Sequence, residues 1–136
     1  MDKLTPKQRS ANMRSIKSRN TLPEIYVRRL LWKAGYRYRI HGVKLPGKPD
    51  IIFPIRKKVI FVHGCFWHQH PLSECTDSRR PKSNTGYWGP KLDRNIERDA
   101  TVLRDLDALG WQTLVVWDCQ LREPAALLRS LQAFLD

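Results

Sequence analysis

Val59, Ile60, Phe61 and Val62 follow one another with no polar residue between them. Successive side chains of a strand point to opposite sides, so a run of this kind is a strand that needs apolar cover on both faces. The flanking sequence supplies that cover. Thr21-Leu22-Pro23-Glu24 has the form of a capping box opening a helix that runs to Ala34, with Gly35 as its stop and Ile25, Val27, Leu30 and Leu31 available for burial. Between Trp88 and Leu109 the apolar residues Leu92, Ile96, Leu103, Leu106 and Leu109 recur at helical spacing, ending at Gly110. Trp111 to Trp117 reads as a further strand ending near Cys119, and Pro124 opens a last amphipathic helix through Leu127, Leu128, Leu131 and Phe134. Tyr36 to Ile40 alternates as a half-exposed strand would, and the turn-rich Leu45-Pro46-Gly47-Lys48-Pro49 feeds a strand opened by Asp50. Helices before and after a strand cluster define a mixed α/β domain with its sheet covered on both sides.

The chain has 136 residues, enough for one sizeable core but not two, so residues 1–136 are expected to form a single domain. Thr5 and Pro6 open a short basic helix to about Ile16, which makes residues 1–20 a basic N-terminal helical arm. Residues 76–86 are polar and read as a long surface loop. The formal net charge is +12, far beyond what solubility needs, and points to a polyanionic partner, with nucleic acid ahead of a membrane surface. No apolar run approaches the ~20 residues of a membrane span, and Met1-Asp2-Lys3-Leu4-Thr5-Pro6 lacks the apolar core of a secretion signal. A cytoplasmic protein is expected. There the thiols are ligands or reactive groups rather than disulfides.

Cys65, His70 and Cys75 are separated by two intervals of four residues, and Cys119 ends a distant strand. Thiolates and imidazole suit zinc, and four protein ligands would close the site, making it structural rather than catalytic. The alternative is three half-buried cysteines and a surface histidine. Phe66 and Trp67 are adjacent between these ligands, so on an extended segment they cannot both face inward. Asp50 at the head of a strand is similar to the carboxylate that holds magnesium in metal-dependent nucleases, although the Glu-x-Lys that often follows is replaced here by Phe61-Val62-His63. His68 or His63 can supply the missing base near neutral pH. Glu24 is either a further carboxylate at the metal or the capping partner of Thr21. Trp88, Lys91, Asn95 and Arg98, spaced three, four and three apart, share the helix face opposite the leucines, with donors suited to base edges and phosphate. Asp99 falls near the apolar side and needs either a basic partner or a role at the site.

Taken together, Met13-Arg14-Ser15-Ile16, Thr21-Leu22-Pro23-Glu24, Leu45-Pro46-Gly47-Lys48-Pro49-Asp50, Phe61-Val62-His63-Gly64-Cys65-Phe66-Trp67-His68 and Asn95-Ile96-Glu97-Arg98-Asp99 resemble the very-short-patch repair (Vsr) DNA mismatch endonucleases. The resemblance implies a restriction-endonuclease-like fold of the PD-(D/E)XK type, with a central mixed sheet flanked by helices and a structural zinc site. It also implies a magnesium-dependent cut 5′ to the thymine of a T:G mismatch left by deamination of 5-methylcytosine. By matching position, Asp50 and the Val62 carbonyl would bind Mg2+, His68 would activate water, and Glu24 and His63 would support the metal's water shell. Cys65, His70, Cys75 and Cys119 would hold Zn2+. Phe66 and Trp67, joined by Met13, would wedge beside the mismatch, while Trp88, Lys91 and Asn95 line the recognition face. One departure is the four residues Pro71-Leu72-Ser73-Glu74 between His70 and Cys75, a longer interval than in many members of the family.

The expected partners are double-stranded DNA containing a T:G mismatch, mismatch-repair proteins and a repair polymerase; the protein itself is expected to be a monomer in the bacterial cytoplasm at the nucleoid. Two other readings stay open at this point: a zinc-stapled DNA-binding module that no longer cuts, and a less selective DNA endonuclease of the same fold.

Overall fold

The computed structural model describes residues 21–70, 75 and 85–136. The basic arm with Met13 and most of the polar loop lie outside the described residues. Helix α1 spans Leu22–Lys33. Thr21 caps it, its hydroxyl accepting from the Glu24 N–H at 3.4 Å, and Gly35, at φ +97°, turns the chain away afterwards. The Glu24 side chain is buried at 6% exposure. Its carboxylate accepts from the Arg28 guanidinium at 3.1 Å.

Three strands form one sheet in the order β1-β2-β3, where β1 is Ile51–Phe53, β2 is Lys58–His63 and β3 is Gln112–Trp117. β1 runs antiparallel to β2, with Ile51 opposite Ile60, and β3 runs parallel to β2, with His63 opposite Trp117. A single-turn helix α2, Cys65–His68, leaves the end of β2. The long α3, Thr85–Ala108, precedes β3. A 3-10 turn over Asp118–Arg122 and the final α4, Pro124–Leu135, complete the order. Among the described residues no helix is long and apolar enough to cross a membrane.

The apolar run in β2 divides its side chains between two cores. Ile60 packs with Val27, Leu31, Ile51, Phe53, Val116, Leu127, Leu131 and Leu135 beneath α1 and α4. Val59 and Phe61 pack with Ile52 and Leu106 beneath α3, joined by Val102, Trp111 and Val115. Both faces are therefore covered, as a strand without a polar side requires.

Tyr36 to Ile40 differs from expectation. Instead of a strand, only an isolated bridge between Arg39 and Ile52 forms. Tyr38 turns its ring edge-on to Trp32 and Phe53 and donates its hydroxyl to the Arg28 carbonyl at 3.2 Å. The alternation reflects rings packed between α1 and β1 rather than a ladder. The following loop is fastened to α3 at Gly47, where φ is +75° and an added Cβ would lie 2.4 Å from a methyl of Val102. That anchoring sets the approach of Lys48, Pro49 and Asp50 to the sheet.

Candidate active site and metal centre

Asp50 stands one residue before β1, its N–H donating to the Ile60 carbonyl at 3.1 Å. Its carboxylate reaches over the end of β2 and accepts the Val62 N–H at 2.7 Å. Burial pushes the Asp50 carboxyl up to about 7; the Val62 N–H opposes the shift, and the negative charge of Glu24 adds to it. Two buried carboxyls side by side, with Arg28 on the outer one, form a pair whose full ionisation is unfavourable until another cation arrives. Hard oxygen donors of this kind suit Mg2+.

His68 closes α2 and sets its Nδ1 2.7 Å from Oδ2 of Asp99 on α3. This pairing answers the question that Asp99 raised in the sequence. With Nδ1–H donated to the carboxylate, the other ring nitrogen of His68 keeps a lone pair for proton transfer. His63 stacks on His68 with ring centroids 3.8 Å apart and planes 10° from parallel. At 8% exposure His63 is buried. Burial first, and then the neighbouring His68, push it down to about 4, so it is neutral at physiological pH. Its Nδ1 is buried without a hydrogen-bond partner among the described residues.

These groups open into one cleft of about 1460 Å3, lined by Glu24, Asp50, Val62, His63 and His68 and, from α3, by Lys91, Asn95, Arg98 and Asp99. Trp88 does not itself line the cleft but backs Phe66, which does, the two rings meeting edge-to-face at 5.3 Å. Phe66 is thus half-buried against α3 rather than standing clear of the surface. Trp67 lies within α2; the wedge roles expected of its ring and of Met13 fall outside the described residues. Arg94 and Lys48 also line the cleft, and neither was singled out from sequence. Arg94 is findable there, since it is three residues after Lys91 and four before Arg98 on the same helical face.

Below the cleft, ligand atoms of Cys65, His70, Cys75 and Cys119 all lie within 4.8 Å of one another. His70 Nδ1 is 3.7 Å from Cys65 Sγ and 3.5 Å from Cys119 Sγ. A tetrahedral zinc with ordinary Zn–S and Zn–N bonds would set such atoms about 3.6 Å apart. Cys75 joins the group despite the long interval after His70. Burial pushes the Cys65 and Cys119 thiols up, so as free groups they stay protonated, and a bound cation would replace those protons. The set fits Zn2+. Gln69, left-handed at φ 49°, ends α2 with its N–H on the Cys65 carbonyl, and its amide donates to the Phe66 carbonyl at 2.7 Å. The His70 ring stacks on Trp117 at 4.4 Å, and the same indole meets His63 edge-on at 5.3 Å.

The buried acid pair, the imidazole set against a carboxylate and the basic residues of α3 thus meet in one cleft, an arrangement chemically suited to a divalent cation and a phosphodiester. The family model for DNA mismatch endonuclease Vsr matches residues 1–74, and the chain belongs to that family of DNA endonucleases. It is 47% identical over 135 residues to the type II nicking enzyme V.XorIIP of Xanthomonas oryzae pv. oryzae (strain KACC10331 / KXO85), covering 99% of this chain and 97% of that protein. It is 41% identical over 114 residues to DNA mismatch endonuclease Vsr of Escherichia coli (strain K12), covering 84% of this chain and 71% of that one. The type II nicking enzyme V.NmeAIP of Neisseria meningitidis serogroup A is 41% identical over 124 residues, covering 91% and 86%.

Proposed function

We propose that this protein nicks double-stranded DNA on the 5′ side of the thymine in a T:G mismatch, the product of 5-methylcytosine deamination, and so starts very-short-patch repair. The observation that carries the reading is the meeting of Asp50 and Glu24 with the His68–Asp99 pair in one cleft walled by the basic face of α3. Asp50 and the Val62 carbonyl would hold magnesium, whose charge offsets that of the scissile phosphate. His68 takes the proton of the attacking water, and Asp99 orients the imidazole and stabilises its charged form. Glu24 and the neutral His63 order the surrounding water.

Phe66 and Trp67, with Met13, wedge beside the mismatch. A T:G wobble stacks less well than a correct pair, and unstacking costs a few kcal/mol per step, so deformability supplies selectivity. Zinc on Cys65, His70, Cys75 and Cys119 holds the wedge turn rigid, which spares the ordering entropy that a loose turn would add. Trp88, Lys91 and Asn95 read the groove while Arg98 meets phosphate. The mixed sheet with an acid at the head of a strand supports the restriction-endonuclease-like fold. The working form is a single-domain monomer in the bacterial cytoplasm at the nucleoid, handing nicked DNA to mismatch-repair proteins and a repair polymerase.

The test is nicking of end-labelled duplexes that differ only in one T:G pair, with and without magnesium. Cutting of the mismatched strand alone, lost in Asp50→Ala while mismatch binding persists, is the expected result. Equal cutting of the paired duplex would leave a less selective endonuclease, and binding without cutting a DNA-binding module.

A further inference from the structure

Tyr87 has no part in the roles above, and its position is not explained by packing. The side chain is 58% exposed near the start of α3 and lines the cleft. Its hydroxyl accepts from Lys91 Nζ, one turn further on, at 3.3 Å. The same ammonium lies 5.3 Å from the centre of the Tyr87 ring and 5.9 Å from that of Trp88. The two rings stand edge-to-face at 4.9 Å, 79° apart, so Lys91 is held by a fixed aromatic corner as well as by the hydroxyl.

An unheld lysine is a flexible point charge that meets phosphate regardless of sequence, whereas a held one can keep its donors on a base edge. We propose that Tyr87 is a positioning residue that aims the Lys91 ammonium at the base edges of the bound duplex and thereby sets its sequence preference. The inference rests on the reading of Lys91 as part of the DNA-facing wall. The acceptor chemistry that a lysine selects in the major groove is guanine O6 and N7.

The experiment is a double-mutant cycle on binding to T:G duplexes, using wild type, Tyr87→Phe, Lys91→Ala and the pair. It is repeated with 7-deazaguanine, which lacks N7, at each guanine in and beside the mismatch. Tyr87→Phe keeps the ring and removes only the hydroxyl at an exposed site, so a thermal midpoint equal to that of wild type serves as the folding control. Lys91→Ala is expected to weaken binding about tenfold, Tyr87→Phe by a few-fold, and the double variant no more than Lys91→Ala alone. One 7-deazaguanine that weakens wild type should have little effect on either single variant. Additive losses, or a Tyr87→Phe protein with wild-type affinity and the same deazaguanine sensitivity, would overturn the inference while leaving the DNA wall intact. A Lys91→Ala protein that binds like wild type would remove the DNA-facing reading of Lys91 and this inference together.

Discussion

Asp50 holds its proton up to about 7 because it is buried beside a second carboxyl, and this ties the stability of the metal-free protein to pH. Below about 4 the carboxyl is protonated both folded and unfolded, with no penalty. Between there and about 7 only the unfolded chain ionises, so the fold loses about 1.4 kcal/mol for each unit of rising pH. Asp50→Asn keeps an acceptor for the Val62 N–H and removes the titration. In chelator the variant should melt above wild type at pH 8 by a clearly larger margin than at pH 5; a margin independent of pH would contradict the burial argument. Asp99→Asn leaves His68 a partner but favours the wrong tautomer, and should slow nicking by about 10²- to 10⁴-fold with mismatch binding preserved, measured by single-turnover kinetics and gel shift. Single residues were legible in sequence where chemistry is local: Asp50 at the head of a strand, or the gathering of Cys65, His70, Cys75 and Cys119 into one cluster. The partner of Asp99 was not legible, because His68 lies 31 positions away on another element.

Among elements, the ends of α1, β2, β3 and α4 follow the sequence closely because caps, prolines and unbroken apolar runs mark them. Helix α3 begins at Thr85 rather than near Trp88, since Thr85-Gly86-Tyr87 carries no apolar period. Tyr36 to Ile40 misled for the opposite reason: alternation is shared by a strand and by a loop that buries every second ring. The loop before β1 depends on Gly47, and Gly47→Ala places a methyl against Val102 at a left-handed φ. It should cost about 1–3 kcal/mol, read as a lower thermal midpoint, and it should reduce nicking by moving Asp50. For the turn made by α2, metal analysis after exhaustive dialysis should find about one zinc per chain, and stripping that zinc with a strong chelator should lower the melting temperature. A stable, metal-free protein would contradict the four-ligand assignment.

At the scale of the whole molecule, the charge of +12 predicts binding governed by counterion release. Duplex affinity should fall about 10³- to 10⁵-fold between 50 and 200 mM salt if six to ten phosphates are engaged, as fluorescence anisotropy across a salt series would read. A nearly flat salt dependence would contradict a basic DNA-facing wall. Charge and the covered sheet were readable from composition and pattern. The cleft was not, because α1, the loop before β1, α2 and α3 each contribute to it and no spacing rule relates them; only the ordered set of family motifs anticipated their meeting. Once assembled, the two centres are not separate. His68, His63, Trp117 and His70 form a column of rings, each touching the next, running from the proposed base to the sulfur cage. Disturbing the cysteine–histidine cluster should therefore reach the imidazole as well as the turn that carries Phe66 and Trp67, so an oxidised protein is expected to lose cutting and grip together rather than one alone.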